Sequence, residues 1–80
     1  MELSPVQTLN GHTGYIRALV VGPNGNVRSG SEDGTIRVWC GDDGTHLHTL
    51  EGHGGKILSL VVGRNGSLYS GHDSGKVFVW

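Results

Sequence analysis

The chain repeats itself every 41 residues, and that period constrains its fold more than any other property of its sequence. "LNGHTGYIRALVVGPNGN" from Leu9 returns as "LEGHGGKILSLVVGRNGS" from Leu50. Gly11-His12 returns as Gly52-His53, Ser29-Gly30 as Ser70-Gly71, and Val38-Trp39 as Val79-Trp80. A period of roughly 20–50 residues means that each copy is one supersecondary unit that cannot bury its apolar face alone. Two such units fill the 80 residues: about 9–49 and about 50–80.

Within a unit the apolar runs are short, β-branched and bounded by turn residues. "YIRALVVG" stops at "GPNGN", "VRSGS" at "EDGT" and "IRVWC" at "GDDGT", while "HLHTLEG" leads into the next Gly-His. Fifteen glycines and several Asn and Asp supply cheap positive-φ positions between strands. The pattern predicts four short antiparallel strands per unit and an all-β chain. In "ALVV" and "SLVV" every neighbour is apolar or small, so both faces of those strands are expected to be buried. Each sheet therefore needs a neighbour on both sides.

Composition removes several function classes. A net charge of -1 leaves no basic patch for phosphates, so nucleic acid is not an expected partner. The apolar runs are far shorter than a membrane span, and "MELSPVQ" has no signal-peptide pattern, so no membrane is expected. A single cysteine, Cys40, cannot form an internal disulfide and fits a reducing, cytoplasmic setting.

Gly-His, a strand ending near Asn-Gly, and then "SGSEDGTIRVW" together resemble the WD40 repeat, a four-stranded blade of a β-propeller. The resemblance covers nearly the whole chain, twice. It implies a buried hydrogen-bond chain through Trp39, Ser29, His12 and Asp33 in the first blade. Trp80, Ser70 and His53 fill the matching positions in the second. Two departures stand out: the family's Trp-Asp is Trp39-Cys40 here, and Ser74 takes the place of Asp33, with Asp73 one residue earlier. A serine cannot offer a carboxylate, so the second blade is expected to be less rigid. The resemblance also places partner contacts on the Gly-His and Asp-Gly loops, with Tyr15 and Glu32 outward on one blade and Lys56 and Asp73 on the other.

Other chemistries in the sequence have plainer readings. His12, Ser29 and Asp33 form a hydrolase-like set, but they sit among strand-pairing positions with a tryptophan attached, so no catalytic residue is assigned. His46 and His48, two apart on a strand, share a face and could clamp a metal with His72 or Cys40. A solvated outer strand is the preferred reading. Cys40 reads as a small buried filler, and "GDDGT" as a turn. No metal site and no cofactor are expected.

A propeller closes with roughly 4–8 blades, and two blades leave two apolar faces open. Copies of the chain are therefore expected to close the ring. "VQTL" at Val6–Leu9 aligns with "LHTL", the outer strand of a blade, so residues 5–10 are expected to complete a neighbouring copy's second blade. A homotetramer with eight blades is favoured over a homotrimer with six, because the family's sheets favour wider rings. The expected function is a non-catalytic, self-assembling scaffold for peptides or proteins. The alternative is an engineered or excised repeat piece with no native partner, a model of propeller assembly. A hydrolase or metal-binding protein stands last.

Overall fold

In a computed structural model, residues 7–52 and 55–80 are described, and they form seven strands in two antiparallel sheets. The first sheet holds β1 (Ile16–Val21), β2 (Val27–Ser31), β3 (Thr35–Trp39) and β4 (His46–Glu51), side by side in chain order. The second holds β5 (Ile57–Val62), β6 (Leu68–His72) and β7 (Val77–Val79). The second sheet thus shows three strands among the described residues rather than four. "HLHTLE" pairs with β3 and belongs to the first sheet.

The repeat is visible in the hydrogen bonds. Gly22 N–H donates to Asn26 O at 2.8 Å in the first hairpin, and Gly63 N–H donates to Ser67 O at 2.7 Å in the second. Both hairpins turn on a glycine in the left-handed region, Gly25 at φ 84° and Gly66 at φ 86°, where an L side chain is strained. A bulge breaks the first strand pair between Ile16 and Ala18, and again between Ile57 and Ser59.

The two sheets stack face to face, with β5 lying against β1 and β2. Ile36 from the first sheet meets Ile57, Leu60 and Leu68 from the second, with Ala18, Val20, Leu50, Val62 and Trp80 packed around them. Gly30 is the notch that permits this approach. A Cβ there would lie 2.7 Å from Ile57 Cγ2 and 3.2 Å from Leu60 Cδ1.

The expectation that both faces of the first strands are buried is not met in the single chain. Leu19 and Val21 on β1, and Val61 on β5, are exposed. The local sequence asks for two neighbours, and one chain supplies only one. Cys40 is half-buried rather than buried. His46 and His48 do not share a face either. A bulge between Val38 and Trp39 sets His46 opposite Trp39 and His48 opposite Val38, so the two imidazoles stand on opposite faces. No helix of the described residues is long and apolar enough to cross a membrane.

Candidate functional site

β2 and β3 carry Ser29 and Trp39 on one face, and the Gly-His loop brings His12 over them. Trp39 Nε1–H donates to Ser29 Oγ at 3.0 Å. His12 Nε2 lies 2.6 Å from the same Oγ, and His12 Nδ1 lies 3.0 Å from Asp33 Oδ2. An indole only donates, so Ser29 accepts from Trp39 and passes its own proton to His12 Nε2. His12 then carries its hydrogen on Nδ1 and donates to Asp33.

The Asp33 side chain accepts more hydrogen bonds than any other carboxylate among the described residues. It also receives Thr13 N–H at 3.0 Å, Thr35 N–H at 2.8 Å and the Thr35 hydroxyl at 2.6 Å. Burial resists its ionisation, but the hydrogen bonds from Thr35, His12 and Thr13 outweigh that and hold its carboxyl far below the usual range. The line Ser29–His12–Asp33 has the distances of a nucleophile, a base and an orienting acid. Ser29 is buried, however, and the Trp39 N–H sits on its oxygen. The arrangement links the Gly-His loop to β2 and β3.

In the second sheet the histidine beside serine is a different one. Trp80 Nε1–H donates to Ser70 Oγ at 2.9 Å, and His72 Nε2 lies 2.7 Å from that oxygen. His72 Nδ1 faces Gly55 O at 3.4 Å, and its ring packs on Phe78 with centroids 4.5 Å apart. His53 lies outside the described residues, as do positions 5 and 6 of the outer-strand segment. In the sequence His72 stands only as a possible metal ligand. The signal available was its spacing: two residues beyond Ser70 on a strand, it shares that serine's face. Among the described residues no group of His, Cys, Asp and Glu could hold a metal ion.

On the loop side, Tyr15 and Asp73 stand exposed, and Glu32 and Lys56 come together. Lys56 Nζ reaches across from the second sheet to Glu32 Oε1 at 3.6 Å. Arg17 grips the other oxygen of the same carboxylate and holds it below its usual range. Glu32 and Lys56, one from each blade, thus pair with each other. Glu32 joins the two blades, and Arg17, which sequence reasoning passed over, is part of the cluster. Of the segment before the Gly-His loop, Gln7 Nε2–H donates to Asp43 O at 2.9 Å. Leu9 lines, with Ile16, Leu19 and Trp39, an apolar groove on the open face of the first sheet.

The chain matches the WD domain, G-beta repeat, over residues 3–40 and again over 44–80. It is 45% identical over 39 residues to the small ribosomal subunit protein RACK1 of Schizosaccharomyces pombe, spanning 48% of this chain and 12% of that protein. Among solved structures it is similar to the computationally designed Ika4 protein, with a TM-score of 0.83 and 35% identity over 99% of this chain and 48% of that one. It is also similar to the WD40 β-propeller domain of Doa1, with a TM-score of 0.87 and 26% identity over 92% of this chain and 25% of that one. Two repeat matches, two stacked meanders and these structural neighbours agree: the chain belongs to the WD40 family and forms two blades of a β-propeller.

Proposed function

We propose that this chain closes a β-propeller with copies of itself, and that the ring is a non-catalytic platform for peptide or protein partners. One observation carries the reading: residues at equivalent positions of the two blades differ in burial only by which side has a neighbour. Ile57 and Leu60, on the covered side of the second blade, are 0% and 7% exposed, and their equivalents Ile16 and Leu19 are 46% and 66% exposed. On the opposite side Ile36 and Val38 are 0% and 7% exposed, against 67% and 66% for Val77 and Val79. Each open face is thus the counterpart of a face that already has its mate inside the chain. Covering such side chains is worth about 1.5–3 kcal/mol apiece, so one further seam gains on the order of 10 kcal/mol before the cost of association.

Head-to-tail stacking of these two faces is heterologous and closes into a ring when the rotation allows. Four copies give eight blades and three give six, with four favoured. The edge strand β7 then accepts residues 5–10 of the next copy by strand addition. The placement of Leu9 supports this, since it lines the groove on the open face of the first blade, while its repeat equivalent Leu50 packs against the core between the blades. Partners would meet the loop face that carries Tyr15, Glu32, Lys56 and Asp73, in the cytoplasm.

Light scattering or native mass spectrometry tests the reading, with an expected mass of four times 8.5 kDa, or failing that three times. A folded monomer at micromolar concentration would overturn it. That result would favour the second reading, a repeat piece without a native partner, for which the similarity to a designed protein of about twice the length speaks.

A further inference from the structure

We infer that the seam between copies repeats the seam inside the chain residue for residue, with the Gly71 notch receiving Ile16 and Leu19 and with Tyr15 bonded to Asp73. The inference rests on the ring reading and specifies its contacts. Its occupant is a second copy of this chain, because the two open faces are the offset images of two faces already mated.

The internal seam has three parts. Ile57 and Leu60 press on Gly30, where any side chain would collide with Ile57 Cγ2 at 2.7 Å. Ile36 fills the space beside them. At the loop rim Lys56 pairs with Glu32. Shifting each by the 41-residue period gives Ile16 and Leu19 on one copy, and Gly71, Val77 and Asp73 on the other, with Tyr15 in place of Lys56. The notch is present and faces no residue of another strand layer: a Cβ on Gly71 would meet Ser59 Oγ at 2.7 Å, a hydroxyl that would have to turn aside. Nothing in the backbone requires glycine there, since Gly71 is not among the positive-φ residues. The bulge between Ile57 and Ser59 lies opposite it, and close approach of another chain is a further reason for a glycine in mid-strand.

The rim pair differs in chemistry, and the difference is matched on both sides. Glu32 is shared between Arg17 and Lys56, whereas the position equivalent to Arg17 is Leu58, and no salt bridge reaches Asp73 among the described residues. An unshared carboxylate is suited to a neutral donor, and Tyr15, 75% exposed in the single chain, offers a phenol O–H. Tyr15 and Asp73 therefore stitch two loops into one continuous face, as Lys56 and Glu32 do.

The test is a dilution series followed by light scattering, on the wild type, Gly71→Val, Tyr15→Glu and the double variant Tyr15→Glu/Asp73→Lys. Gly71→Val fills the notch with a good strand former and should raise the dissociation midpoint at least about tenfold, with the sheet signal in circular dichroism retained. Tyr15→Glu sets like charges together and should weaken assembly about tenfold. The double variant should recover to within about threefold of wild type and become salt-sensitive, as a Lys–acid rim pair is. A wild type that is monomeric throughout overturns the ring reading and this seam together. A wild-type ring that ignores both single substitutions overturns the seam alone. Should Gly71→Val fail to fold, the charge pair decides: weakening with rescue supports the seam, and weakening without rescue overturns it.

Discussion

The first blade ends its tryptophan–serine–histidine line on a carboxylate, and the second ends its line on a backbone carbonyl. In the first, His12 comes from a loop 17 residues before Ser29 and hands its proton to Asp33, which also gathers Thr13 and Thr35. In the second, His72 sits two residues from Ser70 on the same strand and reaches Gly55 O at a long 3.4 Å. An indole and a buried serine hydroxyl are satisfied both ways. Among the described residues the first line fastens its loop through a charged acceptor with four donors, and the second through one long contact to Gly55 O. Satisfying a buried donor and fastening a loop are separable tasks.

The widest gap between the blades should come from the carboxylate. Asp33→Ala strands four donors at once and should cost about 2–3 kcal/mol, read from urea midpoints. Ser74→Ala, at the equivalent place in the second blade, is an exposed change and should cost under about 0.5 kcal/mol. Equal losses would break the comparison.

A smaller gap separates the histidines. His12→Ala removes two hydrogen bonds, one of them to a charged group, and should cost about 2 kcal/mol with faster amide exchange at Thr13. His72→Ala removes the bond to Ser70, the long contact to Gly55 O and the packing on Phe78, for about 1 kcal/mol. If exchange at Thr13 is unchanged by loss of His12, the line does not fasten the loop.

The fold was legible because the repeat is written in turn chemistry. Asn24-Gly25 and Asn65-Gly66 set the hairpins, and β-branched runs between them set the strands. The lone-chain burial was not legible, since Leu19 and Leu60 sit in near-identical local sequence and differ only through a neighbour. Of the candidate site, His12, Ser29, Asp33 and Trp39 are placed in one line at hydrogen-bond distance. His72 was missed because a repeat offset maps it onto Ser31, which does a different job, accepting from Asp33 N–H at 3.0 Å. The turning of His46 away from His48 depends on a one-residue bulge, and no residue type in "THLHTL" announces it.

Acid should separate the blades again. Asp33 has a carboxyl pKa depressed by folding, so its contribution is complete above the unfolded value of about 4 and is lost as pH falls from there toward the folded value. Stability measured between pH 5 and 2 should fall more steeply in the wild type than in Asp33→Asn. Parallel slopes would place the acid sensitivity elsewhere.

The smallest expected effect sharpens what holds the blades to each other. Lys56 reaches Glu32 at 3.6 Å with its own side chain 55% exposed, and Arg17 already occupies the same carboxylate. An exposed pair of this kind is worth little, and salt screens it further. Beneath it lie Ile36, Ile57, Leu60 and Leu68, all buried and insensitive to salt. Lys56→Ala should therefore cost under about 0.5 kcal/mol at low salt, and the difference should vanish near 0.5 M salt. Leu60→Ala in the same seam should cost about 2–5 kcal/mol at any salt, by cavity formation beside Gly30. A larger loss from Lys56 than from Leu60 would mean that ions, not the apolar stack, join the blades.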